Sequence, residues 1–424
     1  MRLEARTPPG RHPTMIKSPS RWLTVVGLSE DGLGSLGPAA HAALGAAEKV
    51  VGGARHLELI PAEASPKAER HAWPSPMLPF LDVLVSWRGL PTVALASGDP
   101  LLHGVAATLL GRIGPEEMTV LPAPSAFQLA CAAMLWPVAS TALVTACGRP
   151  VEALAAELHD GARIVLFSAD GATPAAAAAL LLAHGYGDSA VTVLERLGGP
   201  HATATTFSAR DLEDRVFDAL NTVAIACVAG PDARLLPRVP GLPDDAFAND
   251  GQITRREVRA LTLARLAPLP GALLWDVGAG SGSIGIEWMR AARGARAIAL
   301  EPRSDRAARA RANAATLGVP GLDVREAAAP EGLAGLPRAD AVFLGGGATA
   351  PGALEICWAA LKPGGRLVAN AVTLETETKL LAARETLGGD LVRLQIANAE
   401  PVGRMTGWRP AMPITQFVAT KPRT

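Results

Sequence analysis

The chain has 424 residues, which suits two domains better than one core, and its 40 basic residues balance its 40 acidic residues. A net charge of zero disfavours nucleic acids and anionic membranes as partners, because such polyanions are attracted by a positive field. No apolar run reaches the length of about 20 residues that a transmembrane helix needs, so we predict no membrane span. The four cysteines are widely separated, which predicts reduced thiols, no metal site and a cytoplasmic protein.

The chain starts with a segment rich in proline and arginine, MRLEARTPPGRHPTMIKSPSR. It contains no apolar stretch long enough for a signal peptide. We therefore predict a disordered leader over residues 1–21.

From Trp22 onwards, short apolar runs alternate with segments of helical character. Five of these runs end in a glycine-bearing loop: VVGLSEDG, PTVALASGDP, STALVTACGRP, ARIVLFSADG and NTVAIACVAG. This alternation predicts an α/β fold with a mainly parallel sheet over residues 22–235. The stretch PDARLLPRVPGLPDDAFAND is crowded with Pro and Asp, so we predict a linker over 236–248.

A second α/β series follows the predicted linker. Its strand-like segments are ALLWDVG, ARAIALE, LDVREA, ADAVFLGGG, GRLVANA, DLVRLQIAN and ITQFVAT. With helices between the first five, these segments predict a complete seven-stranded domain over 249–424.

This series is preceded by the segment GQITRREVRALTLARL, which has the pattern of an amphipathic helix. Thr254 and Glu257 have the spacing of a capping box, in which each side chain bonds the other's backbone. A role for Thr254 in a ligand site and a role as a simple helix cap are both open at this point.

The stretch LLWDVGAGSGSIGIEWM reads as a strand, a tight loop and a helix. The helix start offers unpaired N–H groups, and glycines at 278, 280 and 282 allow close approach of a ligand. A nicotinamide-binding loop would need glycine where Ser283 stands. One strand later, Glu301 could accept hydrogen bonds from both ribose hydroxyls of a nucleoside.

The loop, the acid and the strand series resemble the class I S-adenosylmethionine-dependent methyltransferases. More specifically, GQITRREVR, DVGAGSG, LGGG and LKPGGRLVANAVTLE resemble the enzymes that methylate carbon 15 of precorrin-6B and decarboxylate an acetate side chain. This resemblance covers about 249–420. It implies an S-adenosylmethionine site lined by Thr254, Gly278, Ala279, Gly280, Ser281, Gly282, Glu301 and Ala329. The chain departs from many class I enzymes in REAAAP, where no acidic residue is available for the adenine amino group.

The candidates for acid–base chemistry in this half of the chain are few. All eight histidines precede residue 202, so a histidine base or a histidine-ligated metal is excluded from the second domain. Loss of carbon dioxide would then depend mainly on delocalisation into the macrocycle and on orientation and desolvation of the carboxylate. Glu257 or Asn370 could assist protonation, although a capping role for Glu257 and a strand-end role for Asn370 are equally compatible with the sequence.

A substrate with many carboxylates calls for arginines, whose forked guanidinium groups pair with acetate and propionate. Four arginines flank the predicted site in sequence: Arg255, Arg256, Arg404 and Arg409. Arg303, Arg306 and Arg309 share a helix face, which we interpret as a solvated surface.

The first domain carries three further motifs: VVGLSEDGLGSL, LASGDPLLHGVA and LPAPSAFQLACAAMLWP. Together they resemble the tetrapyrrole methylases over about 22–235, a separate class with two α/β lobes and a Gly-Asp-Pro turn. Physically, Gly98 allows close approach, Pro100 fixes the turn and Asp99 can cap a helix starting near Leu102.

By this resemblance, the cofactor contacts are Ser97, Gly98, Asp99, Ser125 and Ala126. The first loop departs from the usual Gly-x-Gly-Pro-Gly in a way that is similar to the subfamily acting at carbon 5, and Asp31 would face the substrate. His103 could carry a proton, or it could be structural at a helix start.

Together, these resemblances predict a two-lobed tetrapyrrole methylase fold followed by a seven-stranded class I domain. It implies methylation of precorrin-6B at carbons 5 and 15, with loss of the ring C acetate carboxylate, to give precorrin-8 in cobalamin biosynthesis. It also implies two S-adenosylmethionine sites and, by resemblance only, a homo-oligomer. The alternatives are a nucleic-acid methyltransferase with an accessory domain and a non-catalytic S-adenosylmethionine-binding protein. Neutral charge and the absence of a Pro-Pro-aromatic turn after ADAVFL count against the former.

Overall fold

The computed structural model describes residues 21–212 and 215–423. The leader predicted over 1–21 lies, except for Arg21, outside the described residues. Within the described chain, no helix is long and apolar enough to span a bilayer. Residues 21–140, 194–205 and 220–222 form one compact unit, and the other described residues form a second. The domain limits predicted at 235 and 249 stay predictions.

The first sheet has five strands in the order β3-β2-β4-β1-β5. The strands are β1 Leu23–Leu28, β2 Lys49–Gly52, β3 Glu69–Ala72, β4 Thr92–Ser97 and β5 Met118–Leu121. All four pairings are parallel, so the carboxyl ends of the strands lie at one edge. Leu23 and Val25 belong to one apolar cluster and Val26 and Leu28 to another, as expected for a sheet covered on both faces.

The second sheet also has five strands, in the order β6-β7-β10-β8-β9. They are β6 Ala142–Thr145, β7 Arg163–Phe167, β8 Ala190–Glu195, β9 Thr203–Ser208 and β10 Asn221–Ala226. All five apolar runs predicted as strands in this half of the chain are strands in one of the two sheets.

The third sheet confirms the seven predicted strands, in the order β13-β12-β11-β14-β15-β19-β16. These are β11 Leu273–Val277, β12 Arg296–Leu300, β13 Asp323–Arg325, β14 Ala339–Leu344, β15 Leu361–Ala371, β16 Asp390–Leu394 and β19 Ile414–Thr420. The first five are parallel, whereas β19 is antiparallel to both β15 and β16. The order reverses between β11 and β14, and ligands of open α/β sheets bind at such a switch point.

A separate two-stranded hairpin, β17 Ala397–Val402 with β18 Met405–Pro410, was not predicted from the sequence. Its strands carry proline and glycine and bury little apolar surface, so they lack the usual strand pattern. Predicted Arg404 and Arg409 lie on this hairpin, at its turn and in β18.

Eleven α-helices occur among the described residues. They are α1 Pro38–Ala46, α2 Ala54–Leu59, α3 Phe80–Ser86, α4 Val105–Leu109, α5 Ala126–Met134, α6 Thr173–Ala183, α7 Arg256–Leu266, α8 Ser283–Ala291, α9 Ser304–Thr316, α10 Ala353–Ala360 and α11 Leu374–Leu387.

Two predicted helix starts differ from the structure. Helix α7 has Arg255 as its N-cap without a side-chain cap bond, so the capping box predicted for Thr254 and Glu257 is not formed. The Thr254 carbonyl instead accepts a hydrogen bond from Arg259 Nη1 at 2.5 Å. The helix predicted near Leu102 begins only at Val105, because Asp99 Oδ1 caps a local turn by accepting from the Leu101 N–H.

Candidate functional site

A cavity of about 800 Å³ lies at the carboxyl ends of β11, β12, β14 and β15. Its volume falls within the range typical of small-molecule sites. The glycine loop and Glu301 form one part of the lining, and the three glycines after β14 form another. The switch point of the sheet therefore coincides with this cavity of about 800 Å³.

The glycine loop adopts a backbone that other residues adopt only with strain. Gly278 has φ +77°, and a Cβ at this position would lie 2.7 Å from Gly346 Cα. This close approach of the loops after β11 and β14 leaves no room for a side chain. The loop then leads into α8, whose N-cap is Gly282.

Glu301 is held by backbone N–H groups from both sides. Its Oε2 accepts from Gly280 at 2.9 Å and its Oε1 accepts from Arg303 at 3.0 Å. Each oxygen keeps a lone pair for a further donor. The carboxylate is thus held in an orientation that suits two adjacent hydroxyl groups, and its predicted contact with a ribose stays a prediction.

The segment before α7 forms another wall of the cavity, with Gln252, Thr254 and Arg255 among its lining residues. Arg306 on α9 fixes this wall by donating to Asp250 Oδ2 at 2.8 Å and to Gln252 Oε1 at 2.7 Å. Arg303 and Arg306 also line the cavity. The interpretation of the arginine face of α9 as a solvated surface is therefore wrong for Arg306, whose side chain is 16% exposed, whereas the Arg303 side chain is 56% exposed.

The far part of the cavity has an apolar wall with one polar side chain. Its apolar lining includes Val372, Leu394, Ile396, Met412 and Ile414, and Asn370 is the neighbouring polar residue. Asn370 Nδ2 donates to Thr262 Oγ1 at 3.1 Å, and Gln416 Nε2 donates to Asn370 Oδ1 at 3.0 Å. These bonds fix the amide plane and leave one N–H of Asn370 for a ligand.

The structure brings most of the predicted C-terminal site residues together. The predicted residues that line the cavity are Thr254, Arg255, Gly278, Ala279, Gly280, Ser281, Glu301, Ala329 and Asn370. Those outside its lining are Arg256, Glu257, Gly282, Arg404 and Arg409. The Glu257 carboxylate lies on an exposed face of α7, and Arg409 pairs with Glu400 at 3.1 Å.

Asp276, at the end of β11, is fully buried beside this loop. Its Oδ2 accepts from the Gly285 N–H at 2.9 Å, and its Oδ1 has no partner in the described structure. Burial raises the pKa of the Asp276 carboxyl to about 7, and the charge of Glu301 acts in the same direction. The carboxyl is therefore largely protonated below neutral pH.

This raised pKa predicts a pH-dependent stability. The folded-state pKa of about 7 exceeds the ordinary value of about 3.9, so the protonated carboxyl stabilises the fold below about pH 4. This stabilisation is lost as the pH rises through about 7. Because asparagine resembles the protonated acid, we expect Asp276→Asn to unfold at a higher temperature than the wild type at pH 8 but not at pH 4. Exposed Asp323→Asn is the control, and equal pH profiles for Asp276→Asn and wild type would contradict the prediction.

A smaller cavity of about 80 Å³ lies at the carboxyl edge of the first sheet. Ser97, Gly98 and Ala126 line it, in agreement with three of the predicted cofactor contacts. Gly98 has φ +53°, and a Cβ there would lie 2.8 Å from Ser125 Cα. The Gly-Asp-Pro turn therefore packs directly on the start of α5.

The other predicted residues of this region lie outside the lining of the small cavity. Ser125 is the N-cap of α5 in a capping box with Gln128, and Asp99 caps its own turn. Asp31 and His103 are exposed, and His103 has φ +56°. The structure does not bring Asp31 or His103 into this cavity.

Sequence reasoning missed Arg55 and His56, which follow β2 and reach Ser97. Arg55 Nη2 lies 3.1 Å and His56 Nε2 lies 2.9 Å from Ser97 Oγ. Arg55 also forms an ion pair with Glu30. The available signal was the stretch VVGGARHL, a strand that ends in two glycines followed by an arginine and a histidine.

The C-terminal cavity fits an S-adenosyl nucleoside. Its glycine loop allows close approach, Glu301 suits a ribose, and the buried Ser281 Oγ has no hydrogen-bond partner in the described structure. The fold and this site define an S-adenosylmethionine-dependent methyltransferase.

Comparison with known proteins identifies the family. Residues 245–421 match the model of the precorrin methyltransferase domain, and residues 23–213 match that of the tetrapyrrole (corrin/porphyrin) methylases. A precorrin-6Y C(5,15)-methyltransferase (decarboxylating) from Sinorhizobium sp is 49% identical over 402 residues, which is 95% of this chain and 97% of the relative. One from Mycobacterium tuberculosis is 44% identical over 409 residues, covering 94% and 100%. This chain belongs to the family of decarboxylating precorrin-6Y C(5,15)-methyltransferases.

Among solved structures, the C-terminal domain of a precorrin-6Y C5,15-methyltransferase from Rhodobacter capsulatus is 49% identical. The match covers 44% of this chain and 100% of that domain, with a TM-score of 0.42.

Proposed function

We propose that this chain methylates carbons 5 and 15 of precorrin-6B and removes the carboxylate of the ring C acetate, giving precorrin-8. The observation that carries the proposal is that two methyltransferase family models match successive parts of one chain. Relatives aligned over nearly the whole chain bear the name of an enzyme that acts at both carbons and decarboxylates. The reaction belongs to cobalamin biosynthesis.

In the C-terminal site, the protein binds S-adenosylmethionine and the macrocycle, orients them, and removes water from around the acetate carboxylate. S-adenosylmethionine, when bound, supplies an electrophilic methyl group. Thr254, the glycine loop and Glu301 would hold its nucleoside, and Arg255, Arg303 and Arg306 can pair with peripheral carboxylates of the macrocycle. The apolar wall beside Asn370 would receive the acetate. Decarboxylation breaks the bond between the methylene carbon and the carboxylate, and the electron pair passes into the macrocycle. Uptake of one proton from solvent at the methylene carbon then completes the methyl group.

A neutral hydrogen-bond donor is better suited than a cation to contact the carboxylate that leaves as carbon dioxide. An arginine there would stabilise the charged carboxylate and oppose its loss, whereas the single free N–H of Asn370 orients it at lower cost. Apolar neighbours weaken hydration of the charge. The wall that Asn370 shares with Val372 and Ile414 therefore favours release of carbon dioxide.

This account predicts that Asn370→Ala slows release of carbon dioxide by up to roughly 100-fold, which is the cost of misplacing a reacting group by about 1 Å. The measurement is labelled carbon dioxide released per methyl group gained at carbon 15. Gln416→Leu, which frees the Asn370 amide, should show a smaller loss of the same kind. Exposed Asn398→Ala on the hairpin is the control. Wild-type release in Asn370→Ala would contradict the orienting role, and Glu257→Gln should leave release unchanged because Glu257 is exposed and lies outside the cavity lining.

We also propose a second S-adenosylmethionine site in a first domain over 22–235, with the class I domain at 249–424 and the segment 236–248 between them. The Gly98 turn and the match to the tetrapyrrole methylases over 23–213 support this site.

We further propose a homo-oligomer in the cytoplasm that binds no nucleic acid. The hairpin supports association, because Met405 and Trp408 are 78% and 76% exposed. The cysteines of the described chain form no disulfide, in keeping with a reducing compartment, and the formal net charge is zero. Light scattering of wild type and Trp408→Glu tests the association.

The experiment that tests the main proposal uses the full chain. It is incubated with precorrin-6B and methyl-labelled S-adenosylmethionine, and methyl groups and carbon dioxide are counted. Two methyl groups with one carbon dioxide are expected. One methyl group would contradict a bifunctional chain, and cofactor binding without transfer would contradict catalysis.

A further inference from the structure

Three polar side chains meet at the small cavity of the first sheet. Strands β2 and β4 are parallel neighbours, so the residues after β2 lie beside Ser97 at the end of β4. Arg55 Nη2 lies 3.1 Å from both Ser97 Oγ and His56 Nε2, and His56 Nε2 lies 2.9 Å from Ser97 Oγ. Each of the three groups is therefore within hydrogen-bond distance of the other two.

The donors and acceptors of this triangle can be assigned from chemistry alone. Two N–H groups cannot face each other at 3.1 Å, so His56 Nε2 carries no proton and the neutral imidazole has its proton on Nδ1. Nε2 has a single lone pair and its shorter contact is with Ser97 Oγ, so we assign the Ser97 proton to Nε2 and the Arg55 N–H to Ser97 Oγ. What remains on Ser97 Oγ is a lone pair, so this hydroxyl can only accept from a ligand.

The surrounding charges maintain this arrangement. Glu30 neutralises Arg55 by an ion pair, and Arg196 contributes a second positive charge nearby. Burial, together with the charge of Arg55, lowers the pKa of His56 to about 4. His56 therefore stays neutral at physiological pH, and its Nδ1 has no hydrogen-bond partner among the described residues.

We propose that Arg55 and His56 are positioning residues of the N-terminal site, which hold Ser97 Oγ as a hydrogen-bond acceptor for an N–H or O–H donor of an S-adenosyl ligand. This inference rests on the proposed second S-adenosylmethionine site. Ser97 and Gly98 both line the cavity, so the acceptor lies on the turn that allows close approach. A hydroxyl locked as an acceptor selects ligands that present a donor there.

The test is calorimetric binding of S-adenosylhomocysteine to the full chain in a Glu301→Ala background, which weakens the C-terminal site. Ser97→Ala should lower the remaining affinity by roughly 3- to 10-fold, the value of one neutral hydrogen bond. Unchanged affinity in Ser97→Ala would overturn the inference. If Glu301→Ala alone, with Ser97 intact, abolishes all binding, the proposed second S-adenosylmethionine site is contradicted. The proposed role of Ser97 toward this ligand is then contradicted as well.

The pH dependence of this binding distinguishes a positioning role of Arg55 and His56 from a purely structural one, because a structural role would not change it. In Arg55→Gln, the pKa of His56 rises from about 4 because the neighbouring cation is gone, while burial continues to lower it. A protonated His56 would donate to Ser97 Oγ, whose own proton would then turn toward the ligand's donor and repel it. We expect affinity to fall as the pH is lowered from 7.5 to 5 in Arg55→Gln, but not in wild type or in the exposed control Arg88→Gln.

Adding His56→Gln to Arg55→Gln should abolish that pH dependence, since His56 is the titrating group within hydrogen-bond distance of Ser97 Oγ. The unliganded protein gives an independent check by NMR of nitrogen-labelled histidine. A neutral His56 with its proton on Nδ1 is expected at pH 7. A proton on Nε2, or pH-independent binding in Arg55→Gln, would show that the triangle does not set the direction of the Ser97 hydroxyl.

Discussion

We expect Gly278→Val to abolish methylation at carbon 15 and the release of carbon dioxide. Gly278 has φ +77°, where a branched side chain is strained, and even a Cβ would lie 2.7 Å from Gly346 Cα. Backbone strain alone costs roughly 1–3 kcal/mol, or about 5- to 150-fold in an equilibrium constant. The steric overlap adds to this cost because both contacting groups are backbone. Product analysis by mass spectrometry measures each methylation separately.

The matched control is Gly321→Ala in the same domain, where a Cβ would meet no atom within 4 Å and φ lies outside the left-handed range. Its activity should equal that of wild type. Methylation at carbon 5 should persist in Gly278→Val, because that step is assigned to the other site. Retained carbon-15 methylation in Gly278→Val would mean that the glycine loop does not bind the nucleoside.

The second large effect is expected at Arg259, whose guanidinium is completely buried. Arg259 Nε donates to Glu287 Oε1 at 2.6 Å, and its Nη1 donates to Asp244 Oδ1 at 3.0 Å. Removing one partner of a buried pair leaves an uncompensated charge, which costs about 3–5 kcal/mol. We expect Arg259→Met to lower the free energy of unfolding of the C-terminal domain by this amount in urea denaturation.

A site-specific readout accompanies the denaturation. The backbone N–H groups of Gly241 and Leu242 donate to the Glu287 carboxylate at 2.6 and 3.0 Å, so their hydrogen exchange should accelerate in Arg259→Met. Arg311→Met removes an exposed pair with Glu326 and should change stability by less than about 1 kcal/mol. If both substitutions lowered the free energy of unfolding equally, burial of the Arg259 pair would not explain its contribution to stability.

The parts of the site that follow one another along the chain could be predicted from the sequence. The strand, glycine loop and helix around Gly278 are local, and Glu301 follows from the next strand of a parallel sheet. Seven strands were recognisable because alternating or continuous apolar runs mark them. Ser97 and Ala126 were reached through motifs at the ends of such strands.

Residues that are brought together only by the order of strands in a sheet were not predicted from the sequence. Arg55 and His56 approach Ser97 because β2 pairs with β4, a neighbour relation that sequence spacing does not encode. Likewise, Gln416 reaches Asn370 because β19 inserts between β15 and β16. Arg404 and Arg409 were placed at the site because the hairpin carrying them has no strand pattern.

The contacts of segment 236–248 restrict how this gene could ever be divided. Leu236 accepts from Arg290 Nη2 at 2.7 Å, Gly241 and Leu242 donate to Glu287, and Asp244 pairs with Arg259. Three buried charges, those of Arg259, Glu287 and Arg290, therefore depend on contacts with residues 236–244. If the gene were split into two that each encode a stable protein, the break would have to lie upstream of the codon for Leu236. The protein encoded by the second gene would then begin with residues 236–248.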